Sequence, residues 1–76
     1  MKRLVDYKEE ISNDFGSTFI VDGDRLVNTI FKSEQPSLVM IIEQYIDTPV
    51  RFIKTNQLTT DDGHNSYDVY IIEENP

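Results

Sequence analysis

LVNTIFKSEQPSLVMII, residues 26–42, is the most apolar part of the chain, and the fold turns on how it is read. One reading is a pair of strands joined by a turn; the other is a pair of short helices. Val27, Thr29, Ile30, Phe31, Val39, Ile41, Ile42, Tyr45 and Ile46 are β-branched or aromatic, the side chains that suit a pleated surface and lose rotamer freedom in a helix. Ser33-Glu34-Gln35-Pro36-Ser37 is a polar connector whose proline lacks the N–H a strand ladder needs but fits a turn. No Ser/Thr-x-x-Glu/Gln capping box precedes Leu38 at the right offset. On the other side, Leu38, Ile41, Ile42 and Tyr45 would share one helical face with Pro36 in the first turn, and a helix begun at Asp24 would align Leu26, Val27, Ile30 and Phe31. The balance of residue types predicts strands over 26–32 and 38–46.

Upstream, Leu4, Tyr7 (or Lys8), Ile11 and Phe15 fall on one stripe at helical spacing, with Asp6, Glu9, Glu10 and Asn13 facing away. Gly16 follows where a helix C′ residue belongs, so residues 3–15 are predicted to form an amphipathic helix. Phe19-Ile20-Val21 then enters Asp22-Gly23, a dipeptide that favours a type I′ hairpin turn, and Leu26-Val27 leaves it. Downstream, Thr48-Pro49 marks a turn before the strand VRFIKT, and residues 59–66 form a polar loop. SYDVYIIEE alternates Tyr67, Val69 and Ile71 with Asp68, Tyr70 and Ile72. The expected fold is therefore α+β, one domain over residues 1–76, with an N-terminal amphipathic helix packed on an antiparallel sheet of about five strands.

At 76 residues the chain has room for one small core, with a net stability of roughly 3–5 kcal/mol. Cysteine is absent, which leaves disulfides and thiolate metal sites out of account and fits a reducing compartment. No apolar run approaches the length of a membrane span, and MKRLVDYKEE acquires three acidic residues where a signal peptide needs an apolar core. A soluble cytoplasmic protein is the expectation. Fourteen acidic against seven basic residues give a formal charge of −7, which repels nucleic acid and anionic membrane and attracts basic protein surfaces.

Chemistry-bearing patterns are sparse. His64, the one histidine, sits in the polar loop beside Asp61 and Asp62 without a nucleophile or a set of further ligands in its sequence neighbourhood. Counted from Asp62 as a calcium loop, the sixth position is Tyr67, where the tight turn needs glycine, although Glu73 does fill the twelfth. Phosphate-binding loops, dinucleotide fingerprints and nucleophile elbows are missing. The carboxylate pairs Asp22/Asp24 and Glu73/Glu74 read as solvent-exposed charge, so the expectation is a non-enzyme without metal or cofactor. A helix followed by five strands is also the order of small RNA-binding barrels, but their basic groove is wanting here.

Leu26-Val27-x-Thr29 with Phe31, followed by Val39-Met40 and Ile41-Ile42, resembles a strand pair in the phage-encoded uracil-DNA glycosylase inhibitors, a family of small acidic DNA mimics. Leu4, Asp6 and Glu9 match near the start, as does Phe19-Ile20-Val21 leading into acidic residues, and the last hairpin agrees in kind. The likeness covers most of the chain at low identity. The chain departs from the family in having no counterpart of its second helix between Gly23 and Leu26, and Gly23 falls closest to the family's key glutamate. The resemblance implies an inhibitor acting in the host cytoplasm, with Val27, Met40 and Ile42 lining an apolar pocket for a leucine of the glycosylase. It also puts Asp22 and Asp24 near the carboxylate that meets the enzyme's DNA-binding face. With Glu43 these make the candidate partner-binding set, and mimicry predicts that Asp22, Asp24, Glu43, Asp47, Asp61 and Asp62 share one face. The expected partner is a DNA-binding enzyme with a basic surface. The alternative is an interaction module that self-associates, as a homodimer, through a sheet edge.

Overall fold

The fold was analysed in a computed structural model, which describes residues 2–64 and 66–76; Met1, and Asn65 of the predicted polar loop, lie outside the described residues. A turn of 3-10 helix at Leu4–Tyr7 runs into α1, Lys8–Phe15. The Asp6 carboxylate accepts the Arg3 backbone N–H at 2.6 Å and so satisfies one of the unpaired donors of the first turn. Gly16, at φ 85°, ends α1 with its N–H donating to the Ser12 carbonyl at 2.9 Å. Leu4 and Ile11 are fully buried and Tyr7 and Phe15 pack against the core, as the predicted stripe requires.

β1 (Ile20–Asp22) and β2 (Arg25–Ile30) form a hairpin where one was expected, but its central residues are Gly23 and Asp24, one position beyond the expected Asp22-Gly23, because Asp22 pairs with Arg25 as the last residue of β1. Only Gly23 has positive φ, 66°, so the turn follows the II′ pattern with glycine at the first central position, where type I′ would require positive φ at Asp24 as well.

The second half of the stretch 26–42 is a helix. β2 bears out a strand at its start, but residues 38–46, expected as a strand, lie largely in α2, Gln35–Glu43, preceded by a 3-10 turn at Lys32–Glu34. Three local features set this. The Glu34 carboxylate accepts the Phe31 backbone N–H at 2.8 Å, which is the acidic half of a capping box without Ser or Thr at its head. Pro36 occupies the first turn, where its missing N–H costs nothing. Leu38 and Ile42 are then buried one turn apart, and that burial outweighs the modest helix propensity of isoleucine and valine. Beyond Ile46, Pro49 prevents continuation and its carbonyl accepts the Asn75 N–H at 2.7 Å.

β3 (Val50–Thr59) and β4 (Ser66–Glu74) complete a fully antiparallel four-stranded sheet in the order β1-β2-β4-β3. The fold is α+β with two helices and four strands, one strand fewer than expected because α2 replaces it. β3 continues through a bulge at Thr55, between Lys54 and Asn56, and projects beyond the helices, drawing the molecule out to 44 × 21 × 18 Å.

Strand alternation assigns the two sheet faces. Leu26↔Ile72, Asn28↔Tyr70 and Phe52↔Ile72 point toward the helices, and Leu26, Ile30, Tyr70 and Ile72 join Leu4, Ile11, Phe19, Leu38, Ile42 and Ile46 in a single core. Phe52 meets Tyr70 edge-on, with ring centroids 6.0 Å apart. No described helix is long and apolar enough to cross a membrane.

Candidate functional site

The six residues singled out from the sequence go to four places. Ile42 is 1% exposed, in the core beneath α2, and Met40 is 67% exposed on the outer side of the same helix. Val27 points from β2 to the far side of the sheet, so these three side chains do not form one pocket. The reason is period: on a pleat, 40 and 42 would share a face, whereas on a helix they are about 200° apart. Glu43 lies one turn after Met40 on the exposed side of α2. Asp22 shares Val27's side of the sheet, and Asp24, at the hairpin tip, lies 3.8 Å from Arg3.

The wider acidic set is divided too. Asp22, Asp24 and Asp47 lie at the end of the sheet where β3 begins, while Asp61 and Asp62 occupy the opposite end, roughly 25–30 Å along the β3–β4 ladder. In that distal loop the Asp62 carboxylate accepts from the Thr60 hydroxyl and from the His64 backbone N–H at 3.0 Å, and both bonds hold its pKa below the usual range. His64 is exposed, and no three His, Asp or Glu side chains among the described residues are placed to hold a metal ion.

Two surfaces stand out. The first is the helical layer. Glu9, Glu10, Asn13 and Asp14 of α1 and Met40, Glu43 and Gln44 at α2 are exposed, as is Asp47. Tyr45 joins the two helices: its hydroxyl donates to the Asp14 carboxylate, and its ring stacks on Tyr7 at 5.2 Å between centroids. The hydrogen bond to Asp14, then desolvation, then the negative charges of Asp14 and Glu10 raise the Tyr45 pKa. Among the described residues, Glu10, Asp14, Glu43 and Asp47 form no ion pair, so this layer carries uncompensated negative charge. A broad, open depression of about 650 Å³ runs beside α1, with Glu9, Asn13 and Thr18 in its wall. Its two serines are engaged in holding the fold, Ser12 accepting the Phe19 N–H at 3.0 Å and Ser17 the Asn28 side-chain amide at 3.2 Å.

The second surface is the open side of the sheet, which sequence reading did not identify. Ile20↔Val27, Val27↔Ile71 and Ile71↔Ile53 are cross-strand pairs, so four aliphatic side chains form one row across all four strands. Ile20 is 66% and Ile53 38% exposed. Thr29, Val69 and Asn56 make the next row, and beyond it Tyr67 stands opposite Leu58 with the Phe31 ring 4.4 Å away. An antiparallel sheet with one wet face normally carries polar residues there. On the other flank of the aliphatic row come Asp22, Arg25, Glu73 and Arg51, in which Arg25 pairs with Asp22 at 3.3 Å and Arg51 with Glu73. Only the register reveals this arrangement, because the neighbour of β2 is β4, more than thirty residues away in the chain.

Compared with models of protein families, with curated proteins and with solved structures, the chain matches none.

Proposed function

We propose that this chain is a non-catalytic acidic protein that covers the basic, nucleic-acid-binding face of an enzyme, with uracil-DNA glycosylase the first target to test. The observation that carries the reading is the set of carboxylates in the helical layer without ion pairs among the described residues: Glu10 and Asp14 beside the joint made by Tyr45, and Glu43 at the end of α2. Carboxylates fixed on α1 and at the end of α2 take the place of phosphates in a basic groove and steer the encounter. Met40, exposed one turn from Glu43, supplies an apolar contact whose desolvation slows dissociation. The apolar grip implied by the resemblance thus falls to Met40, without Ile42 and Val27.

The test is a titration of uracil excision with the purified protein. Stoichiometric inhibition is expected, with an association rate that falls as salt rises and falls again in the double variant Glu10→Gln/Asp14→Asn. Unimpeded excision at excess protein would remove glycosylase as the target. An association rate with basic DNA-binding enzymes indifferent to salt and to both substitutions would remove the wider reading.

A further inference from the structure

We propose that the open face of the sheet binds a second copy of this chain, giving a two-fold dimer in which two sheets pack face to face. This surface is separate from the helical layer, so the inference stands without the reading of that layer.

The case rests on the order of charges. Asp22 pairs with Arg25 and Glu73 with Arg51, and continuing the β2–β4 register by one residue sets Arg25 opposite Glu73. Read across the sheet, the flanking row is therefore negative, positive, negative, positive. A two-fold axis in the interface, parallel to the strands and between β2 and β4, reverses that order in the second copy. Each charge then meets its opposite: Asp22 faces Arg51 of the second copy and Arg25 faces its Glu73. The same operation lays Ile20 on Ile53 and Val27 on Ile71, aliphatic on aliphatic. A patch that complements itself under one rotation is what an isologous dimer requires.

Two further observations select a second copy as the occupant. The chain carries a net charge of −7, yet this row holds two carboxylates and two guanidinium groups, so two copies approach here without repulsion between like faces. The size fits a weak contact: strands of three, six, nine and ten residues, at about 3.3 Å per residue and about 4.8 Å apart, offer roughly 440 Å² per copy, in the range of transient interfaces. Aligned sheets pack about 10 Å apart with strands within about 30°, which keeps each row over its counterpart. A weak, reversible dimer follows.

The test is sedimentation of the full chain from roughly 10 µM to roughly 1 mM, with circular dichroism to verify each variant's fold. The expected result is a monomer–dimer equilibrium that Ile20→Lys weakens by about tenfold or more, as do Asp22→Arg and Arg51→Glu singly. The double variant Asp22→Arg/Arg51→Glu restores most of the loss. Within one copy these residues lie on opposite edge strands, three strand spacings or roughly 14 Å apart, so recovery arises between copies. A monomer throughout the range, a dimer indifferent to Ile20→Lys, or a double variant no tighter than its singles would each overturn the proposal.

Discussion

The phenol of Tyr45, just beyond α2, donates its hydrogen to the carboxylate of Asp14, near the end of α1, and this bond couples the two helices at their exposed ends. It also gives the fold a response to alkaline pH. Tyr45 is held above its ordinary pKa by this bond, and Tyr70 by burial and then by the charge of Asp68. With the folded pKa above the unfolded one, the native state keeps its protons longer, and stability, full below about pH 10, is lost as pH rises through the folded values. Denaturant midpoints measured from roughly pH 8 to roughly pH 11 should fall across that window, and Tyr45→Phe should flatten the decline.

Leu26 and Ile72 are opposite one another on the β2–β4 ladder, both fully buried. Leu26→Ala removes packing that the small domain cannot replace and is expected to cost about 2–5 kcal/mol, comparable to the whole stability expected for a chain of this length. Met40→Ala, by contrast, is expected to change stability by less than about 0.5 kcal/mol. Urea melts of the two variants distinguish a helix at 35–43 from a strand whose residue 40 would share the buried side with 38 and 42.

Gly23 has positive φ, and a Cβ added there meets nothing within 4 Å, so substitution is a matter of backbone conformation alone. Gly23→Ala should destabilise by about 1–2 kcal/mol. D-alanine at the same position, introduced by chemical synthesis, should stabilise by about 0.4–1 kcal/mol because it restricts only the unfolded chain. Thermal melts of the pair give opposite signs.

Glu34 closes the entry to α2 through the Phe31 N–H. Glu34→Ala leaves that donor without its acceptor and is expected to cost about 1 kcal/mol, whereas Glu34→Gln should recover most of it. Equilibrium denaturation, with helix content followed by circular dichroism, checks both.

Much of the backbone was legible in the sequence. The stripe Leu4-Tyr7-Ile11-Phe15, Gly16 at its end, the hairpin signalled by Asp22-Gly23 and the alternation of SYDVYIIEE each carry a local physical signal, and each element is present. The misreading of 38–46 came from weighing side-chain type above spacing. Leu38 and Ile42 bury one face of α2, with Ile46 following just beyond its end, and the cue that was available, Glu34 three residues after Phe31, lacked the hydroxyl residue that usually announces it. The candidate site was legible only in part. Asp22, Val27, Met40 and Glu43 are at the surface or half-buried, but their grouping came from the family resemblance, and its apolar part needed a strand at 38–46 to put Met40 and Ile42 on one face. The alternating row on the open face depends on which strands are neighbours, and no local pattern encodes that.

The bulge at Thr55 bears on how large an assembly this sheet permits. Of its two edges, β1 offers three residues, and β3 is interrupted at Lys54–Asn56 with two cationic side chains along the same strand. Neither is a straight template for another strand, so the ladder has no easy means of extension from molecule to molecule. Growth in the hydrogen-bonding direction is blocked at both margins, and a contact made by the flat of the sheet is consumed once two molecules have met. An assembly made as proposed would end at two chains, since the short β1 and the bulged β3 are poor templates for a further strand.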